Sequence, residues 1–521
     1  MDTDVLITGA GPTGLMLANQ LARRGVRSVL IDRKAGPSLE TRALGVQART
    51  LEIYSQLGIV ERAFALGKRA TGVQLWAQGC KAAQVPLIDA GSRLTPYPCI
   101  LVLGQDDNER IMGDRLRDWD QSVQWNTSLD SLRQQDGHVT ATLLRADGGT
   151  REVRARWVAG CDGAHSTVRA LNHIAFEGAP YEHVFYVADV QATGNMVPAQ
   201  LNVFLWKQTF HLFFPMRGDD HWRIVGILPP DLRGRDNVTF EEVLPSLRSE
   251  TGLQLSISRC TWFSAYRIHH RCASRFRAGR CFLLGDAAHI HSPVGAQGMN
   301  TGLQDAYNLA WKLALVARHG AAESLLDSYE EERIPVAHRL LNTTDRAFRL
   351  VVSDNPLASV VRTQLLARVV ARVMGNRHLQ ELVFRTVSQI GIHYRGSVLS
   401  VSDTDLPRGS PQAGDRFPWL RLVLQAGGAV QDVFQALDDT HFHLLLFGQA
   451  SPQGIAGFSG MLRTHVVPDN AHNRSELDRA GVPAISFFLL RPDGHVGLGG
   501  SQVDPAAVAS YARTLGLPQA D

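Results

Sequence analysis

Residues 4–33, DVLITGAGPTGLMLANQLARRGVRSVLIDR, decide the fold. Val5 to Thr8 is a short apolar run of the kind a buried strand uses. Gly9, Gly11 and Gly14 then make GxGxxG, with Pro12 and Thr13 between the last two glycines. TGLMLANQLARRG places apolar residues at helical spacing and stops at Gly25. VRSVLID is β-branched and apolar again; Asp32 closes it and Arg33 follows. The order is strand, glycine turn, helix, strand, acid. In such a unit the first glycine permits the tight turn, the second lets a pyrophosphate approach the backbone, and the third lets helix and strand pack closely. The helix amino terminus faces the anion, and the acid accepts from a ribose hydroxyl. A lone GxGxxG also fits a turn that binds nothing. All the features in sequence predict a dinucleotide site.

The chain continues well beyond this unit. At 521 residues it is too long for one core. A composition of 44% apolar and 20% charged residues is that of a globular protein. The net charge of +3 comes without a dense basic block, so nucleic acid is not an expected partner. The six cysteines form no CxxC pair, which suits a reducing cytoplasm. The amino terminus is not a signal peptide, and no apolar run reaches the roughly 18 residues of a membrane span. Residues 1–171 read as the first part of a dinucleotide-binding domain, with a helix from Ala48 to Leu57. Residues 172–275 change to alternating strands, HVFYVADVQA, QLNVFLWK, TFHLFFPM, HWRIVGIL and QLSISRCTWFSAYRI, a sheet-rich insertion. Residues 276–395 return to strand, loop and helix, ending in helical segments that include RTQLLARVVARVM. A Pro/Gly/Asp-rich linker precedes a separate unit at 410–521, with strands HFHLLLFG and AISFFLLRPDGHVGL, the latter a hairpin turning at Pro492 to Gly494. The expected class is α/β: a Rossmann-type domain, an inserted β-sheet domain and a C-terminal α/β domain.

Two further stretches say which dinucleotide. One is CDGAHSTVR, residues 161–169; the other is GDAAHIHSPVGAQGMN, residues 285–300, followed by a helix. With GAGPTG at the amino terminus, these motifs resemble the FAD-dependent aromatic hydroxylases, single-component flavoprotein monooxygenases related to p-hydroxybenzoate and phenol hydroxylases. The resemblance spans most of residues 1–400, and residues 410–521 look like the thioredoxin-like appendage of the larger phenolic hydroxylases. It implies that Asp286 holds the ribityl chain of FAD and that the loop from Pro293 through Gly298 and Met299 to Asn300 wraps the flavin ring. Amides at the following helix start would then meet the N1–C2=O edge, where reduced flavin gathers negative charge. Asp162 belongs to a motif serving both FAD and the nicotinamide; taken alone, Asp162 or Ser166 could equally cap a helix start. Arg42 matches an arginine near the FAD pyrophosphate, and Gln105 a glutamine touching the flavin, although Gly104 replaces the usual proline before it. Asp32 stands for the more usual glutamate. No second GxGxxG exists, which fits a nicotinamide that visits without its own Rossmann unit.

The activity so implied has NADH or NADPH reduce FAD, and O2 then give a C4a-hydroperoxide whose distal oxygen passes to a phenolic ring. The expected partner is a small aromatic substrate; a homodimer is carried as the candidate assembly. Trp206, Phe210, Phe213, Phe214 and Trp222 offer apolar surface for that substrate, about half of it facing away by strand alternation. His211, Tyr266 and His269 are candidate bases, and the carbonyl of Pro293 a candidate contact at the flavin face. Asp286, His289 and His291 could also be read as metal ligands, but a zinc site needs further convergent ligands, and no metal is expected. The C-terminal unit has no cysteine, so thiol–disulfide chemistry is excluded and a packing or assembly role remains. Two alternatives stand beside the phenol hydroxylase: a flavin hydroxylase or oxidase of a polycyclic natural product, and an FAD-binding protein without turnover.

Overall fold

Thr3–Thr8 is the centre of the computed structural model, every one of its residues buried. The structure describes every residue except 39–42, 78, 207–208, 236, 292–296, 353–369, 371, 373–374, 403–404, 459 and 519–521, and the backbone but not the side chains of 182, 268 and 344–352. RTQLLARVVARVM therefore lies almost wholly outside the described residues, as do Arg42 and Pro293. Thr3–Thr8 pairs in parallel with Ser28–Ile31 on one side and Thr150–Gly160 on the other. Cys281–Leu283 extends the parallel set beside Val158 to Gly160. A hairpin, Thr127–Gln135 and His138–Arg145, completes an eight-stranded sheet. Parallel strands of this kind are buried on both faces, which is why VLIT carries no polar alternation. The helix Pro12–Arg23 packs along the helix Gly298–Arg318, and the crossing is tight: a Cβ added to Gly285 or Gly302 would lie 2.6 or 2.5 Å from the Thr13 hydroxyl.

The second sheet also has eight strands. Phe176–Thr193 and Ser256–Ala273, each 18 residues long, carry the chain into and out of it as an antiparallel pair. Gln200–Leu205, Phe210–Pro215 and His221–Ile227 lie where the alternating pattern put strands. Gly72–Ala77 and Cys80–Pro86 join this sheet as well, through a parallel pairing with Gln200–Leu205. The insertion thus borrows two strands from residues placed by the sequence reading in the dinucleotide-binding part; short strands split across the chain leave no local signature of their sheet. Helix Phe240–Thr251, opened by a Thr239/Glu242 capping box, covers one face through Phe240, Val243 and Leu247. The other face sends Val187, Phe214 and Val225 against Ala48, Ile100 and Val102 of the first part.

The C-terminal unit is built on a five-stranded mixed sheet with the fully buried Phe442–Phe447 near its centre. Its hairpin turns at Pro492–Gly494, where Arg491 and His495 bond across at 2.8 Å and Gly494 takes φ +76°. Val401–Ser402, from the expected linker, supplies an edge strand. A buried charge cluster fastens this unit to the rest. Arg491 donates to both oxygens of Glu332, at 2.6 and 3.0 Å, while Lys312 reaches the same carboxylate at 2.8 Å. All three side chains are fully enclosed. Burial would push Glu332 up, but Arg491 and Lys312 outweigh it and hold the carboxyl well below its ordinary range.

Candidate flavin site

Four loops meet at the carboxyl ends of the parallel strands. Thr8 pairs with Gly160, so the turn at Gly9 abuts Cys161: a Cβ on Gly9, whose φ is +94°, would sit 2.3 Å from the Cys161 carbonyl oxygen. A Cβ on Gly14 would sit 1.9 Å from the Gly9 carbonyl oxygen. Gly11 differs, because nothing among the described residues lies within 4 Å of its would-be Cβ. Two glycines are thus required by the protein's own packing, and the middle one faces open space at a helix start where Pro12 takes the first position. That is the contour a pyrophosphate needs. Asp32 ends its strand with Oδ2 accepting from the Ala10 amide at 2.7 Å and Oδ1 from Lys34 at 2.8 Å. A carboxylate has about four acceptor sites, so capacity remains for a ribose. Arg33 beside it is exposed.

Asp162 and Asp286 complete the floor. Asp162 Oδ2 accepts from the Thr167 and Val168 amides at 2.7 and 3.2 Å, while Ser166 caps Arg169 at 3.1 Å, so both proposed caps are present. Its other oxygen, Oδ1, is buried without a partner among the described residues, which is an acceptor kept in hand. Asp286 sits between buried Gly285 and Ala287 with its own side chain reached by solvent. Enough protein still crowds round it that burial raises its carboxyl pKa, with His289 opposing. Arg169 ties the two loops, donating to the Ala287 carbonyl at 2.9 Å and the Ala164 carbonyl at 2.7 Å.

The helix Gly298–Arg318 starts at the third wall. Asn300, fully buried, accepts from the Gln47 amide at 2.8 Å and donates to the Gly45 carbonyl at 2.7 Å. Met299 receives the Asn108 amide group at 3.4 Å. Gln105 opens the helix Gln105–Arg117, and its Nε2 donates to Glu109 Oε1 at 2.8 Å. Glu109 in turn accepts from the Ser38 amide at 3.0 Å and borders a cavity of about 320 Å3 with Ala10, Pro37 and Trp125, at the Asp32 side of the turn. The open contour at Gly11, the orphan acceptor on Asp162 and the unpartnered Asp286 side chain fit FAD.

Sequence reasoning missed the group behind the GD turn. Asp305, fully buried, accepts from the Gly285 amide at 3.0 Å, His289 Nε2 at 2.8 Å and Arg333 Nε at 2.6 Å. Burial would raise its carboxyl; Arg333 and His289 outweigh that and hold it low. His289 is therefore a partner of Asp305. A charged residue inside an apolar helix, Asp305 in LQDAYNLAW, was the available signal.

The three candidate bases part company. His211 lies on the sheet face covered by Phe240–Thr251, its ring paired with Tyr186 and with Glu250 of that helix, both at 2.8 Å. Alternation turns it, with Phe213 and Trp222, away from the face that meets the first part, so the structure does not bring His211 to the flavin loops. Tyr266 is opposite Phe185 on the other face and 37% exposed. That face also carries Phe185, Phe210, Leu205 and Ile227 as one apolar cluster, linked through Leu212 to the surface holding Phe214. His269 pairs opposite Pro180 near the end of the same long strand. Among the described residues no helix is long and apolar enough to cross a membrane.

Residues 2–344 match the family of FAD-binding domains. The chain is 34% identical to 6-methylpretetramide 4-monooxygenase of Streptomyces rimosus over 98% of its own length and 93% of that protein's. It is 33% identical to rifampicin monooxygenase of Streptomyces venezuelae over 95% and 94%, and 32% identical to pentachlorophenol 4-monooxygenase of Sphingobium chlorophenolicum over 81% and 76%. Among solved structures it is similar to the OxyS anhydrotetracycline hydroxylase of Streptomyces rimosus, with a TM-score of 0.79, 27% identity and full coverage of both chains. Convergent loops that fit FAD, a sheet laid against them and relatives of matching length together place this chain among the FAD-dependent aromatic hydroxylases, monooxygenases that consume a reduced nicotinamide dinucleotide and O2.

Proposed function

We propose that the enzyme hydroxylates a phenolic ring of a polycyclic aromatic compound, bound between the flavin loops and the apolar face of the second sheet. The carrying observation is that face: Phe185, Leu205, Phe210 and Ile227 form one buried apolar cluster, linked through Leu212 to Phe214 and Val225, which pack against the first part. Relatives named for 6-methylpretetramide and for rifampicin align over nearly their full lengths, which supports the larger substrate. Bound FAD, reduced by NADH or NADPH, supplies the activated oxygen. The chain's own residues do the rest. Gly11 and the start of helix Pro12–Arg23 take the pyrophosphate, Asp32 the ribose, Asp286 the ribityl chain, and the Asp162 acceptor a further hydroxyl. The amides at Gly298 and Met299 stabilise charge at the flavin edge without a titratable group. Arg42, Gln105 and the Pro293 carbonyl keep the roles that the resemblance assigns them. The apolar sheet face excludes water and orients the ring, and Tyr266, on that face, exchanges a proton with the phenol in this reading. Six free thiols suit work in the cytoplasm.

The test is the purified, yellow holoenzyme offered simple phenols and polycyclic phenols. A polycycle should stimulate NADH or NADPH oxidation and gain one oxygen atom by mass. Stimulation by simple phenols alone would sink the polycyclic assignment; stimulation by neither, with FAD bound, would sink hydroxylation.

A further inference from the structure

We propose that the cavity between the helix Arg377–Val387 and the C-terminal unit binds a small polyanion, a molecule carrying at least two phosphate or carboxylate groups. The cavity encloses about 770 Å3, within the roughly 300–1,000 Å3 of small-molecule sites. It is lined by the helix and the turn after it, by residues between 409 and 419 with Arg479, and by Arg93 and Arg339.

Charge balance makes it unusual. Seven arginines line the cavity against two carboxylates, Glu381 and Asp415. Arg395 is paired with Asp415 at 2.7 Å and Arg377 with Glu381 at 3.6 Å. Arg416 and Arg479 turn to acids just behind the wall, Glu52 and Glu476, each at 2.9 Å. Arg93, Arg339 and Arg385 have no carboxylate partner among the described residues. Arg339 donates instead to the His393 ring at 3.2 Å. Burial, then Arg339 and Arg395, lower the pKa of that histidine. The whole chain carries only +3, so three arginines without a carboxylate partner around one solvent-open cavity are a local concentration. Like charges gathered this way repel until an anion joins them, and a guanidinium fork matches phosphate or carboxylate oxygens in pairs. A concave wall of one sign also raises the local concentration of the opposite ion.

Both parts of the chain are needed to build the site. That gives the C-terminal unit, which has no cysteine, a chemical task. The cavity also shares a wall with the flavin helix. Gln389 lines it and donates to Thr301 Oγ1 at 3.0 Å, while its own oxygen accepts from Gln304 at 2.6 Å. An occupant is therefore one side chain removed from the first turns of that helix.

The test uses holoenzyme saturated with FAD, so that the cofactor's own phosphate site is filled. It is titrated calorimetrically with sodium pyrophosphate and, separately, with citrate, each against sodium chloride of equal ionic strength. Saturable binding of at least one probe, absent with chloride, is expected. Pyrophosphate alone identifies phosphate as the ligand chemistry; citrate alone identifies carboxylate. In the doubly substituted R93A/R385A protein, and independently in R339Q/R385Q, affinity should fall at least tenfold while the flavin absorbance stays intact. No saturable binding of either probe, or undiminished affinity in both folded variants, overturns the proposal.

Discussion

Asp286→Asn separates a residue kept for a ligand from one kept for the fold. The Asp286 carboxylate makes no hydrogen bond to the protein among the described residues, although Gly285 and Ala287 on either side of it are buried. Removing its charge takes nothing from the apoprotein. Burial raises its pKa, so the folded apoprotein holds the acid proton more tightly than the unfolded chain does. The stability this contributes is complete below the unfolded carboxylate pKa and is lost as pH climbs through the raised one. At neutral pH the ionised group is a net cost to the empty fold, and the asparagine variant should unfold at the same or a higher temperature with a flatter pH dependence. FAD binding should respond in the opposite direction. A hydrogen bond from a ribityl hydroxyl to a carboxylate contributes about 1.5–3 kcal/mol, so at about 1.4 kcal/mol per decade the dissociation constant should rise about ten- to a hundred-fold. Apoprotein melting and quenching of flavin fluorescence on titration read the two effects. A change in FAD affinity below about threefold, within the scatter of such single-contact values, would refute the role. So would an apoprotein that melts well below the parent, because the side chain would then be part of the scaffold.

The glycine turn makes a paired prediction. Gly14→Ala forces a Cβ to within 1.9 Å of the Gly9 carbonyl oxygen and should reduce folded yield, whereas Gly11→Ala meets no atom of the described residues within 4 Å and should leave apoprotein melting unchanged while weakening FAD binding; equal melting losses would refute the assignment. Arg491→Met leaves the enclosed Glu332 with Lys312 as its remaining cation; losing one partner of a buried pair costs about 3–5 kcal/mol, and the surviving lysine puts the expectation at about 3 kcal/mol in urea unfolding. His211→Phe strands the Tyr186 hydroxyl and part of the Glu250 carboxylate, at about 1–3 kcal/mol of stability, yet product formed per nicotinamide oxidised should be unchanged; a folded variant that loses hydroxylation would return His211 to the active site.

What the sequence made legible follows the range of each interaction. Gly9, Gly14 and Asp32 act within one βαβ unit, and their constraints are local: a positive φ, a contact with the next turn, a strand end. The GD and DG motifs were readable for the same reason, since each is a strand end joined to a helix start. Strand alternation was readable too, but its phase was not. Phe210 and Phe214 face the first part while His211, Phe213 and Trp222 face helix Phe240–Thr251, and a one-residue difference in parity decides whether a histidine is a base or a core residue. Nothing near His211 in sequence reports that Glu250, 39 residues on, will cover it. Glu109, Asp305 and Arg333 escaped for a related reason: each works on backbone or side chains supplied by a distant segment, and only the folded chain shows Arg333 holding the acid that holds Gly285.

The same distinction bears on how the C-terminal unit is retained. One face of its sheet has a core of its own around Phe417, Leu445 and Phe488, while the other, with Phe442, Leu444, Leu446 and Phe487, shares a core with Leu309 and Trp311 of the helix Gly298–Arg318. Beside that apolar contact, polar pairs join the two parts: Arg491 on Glu332, Arg416 on Glu52, and Arg49 donating to the Asp493 carbonyl at 2.6 Å. An apolar interface of equal size would hold at least as well, since desolvating ion pairs consumes much of what their attraction returns. Directional pairs give register instead. They set the unit at one orientation, and that orientation brings Asp415, Arg416 and Arg479 opposite Arg385 across the cationic cavity. Loosening the cluster at Arg491 should therefore weaken anion binding even though Arg491 does not line the site, whereas a unit that served only as packing would lose stability and leave the cavity's affinity untouched.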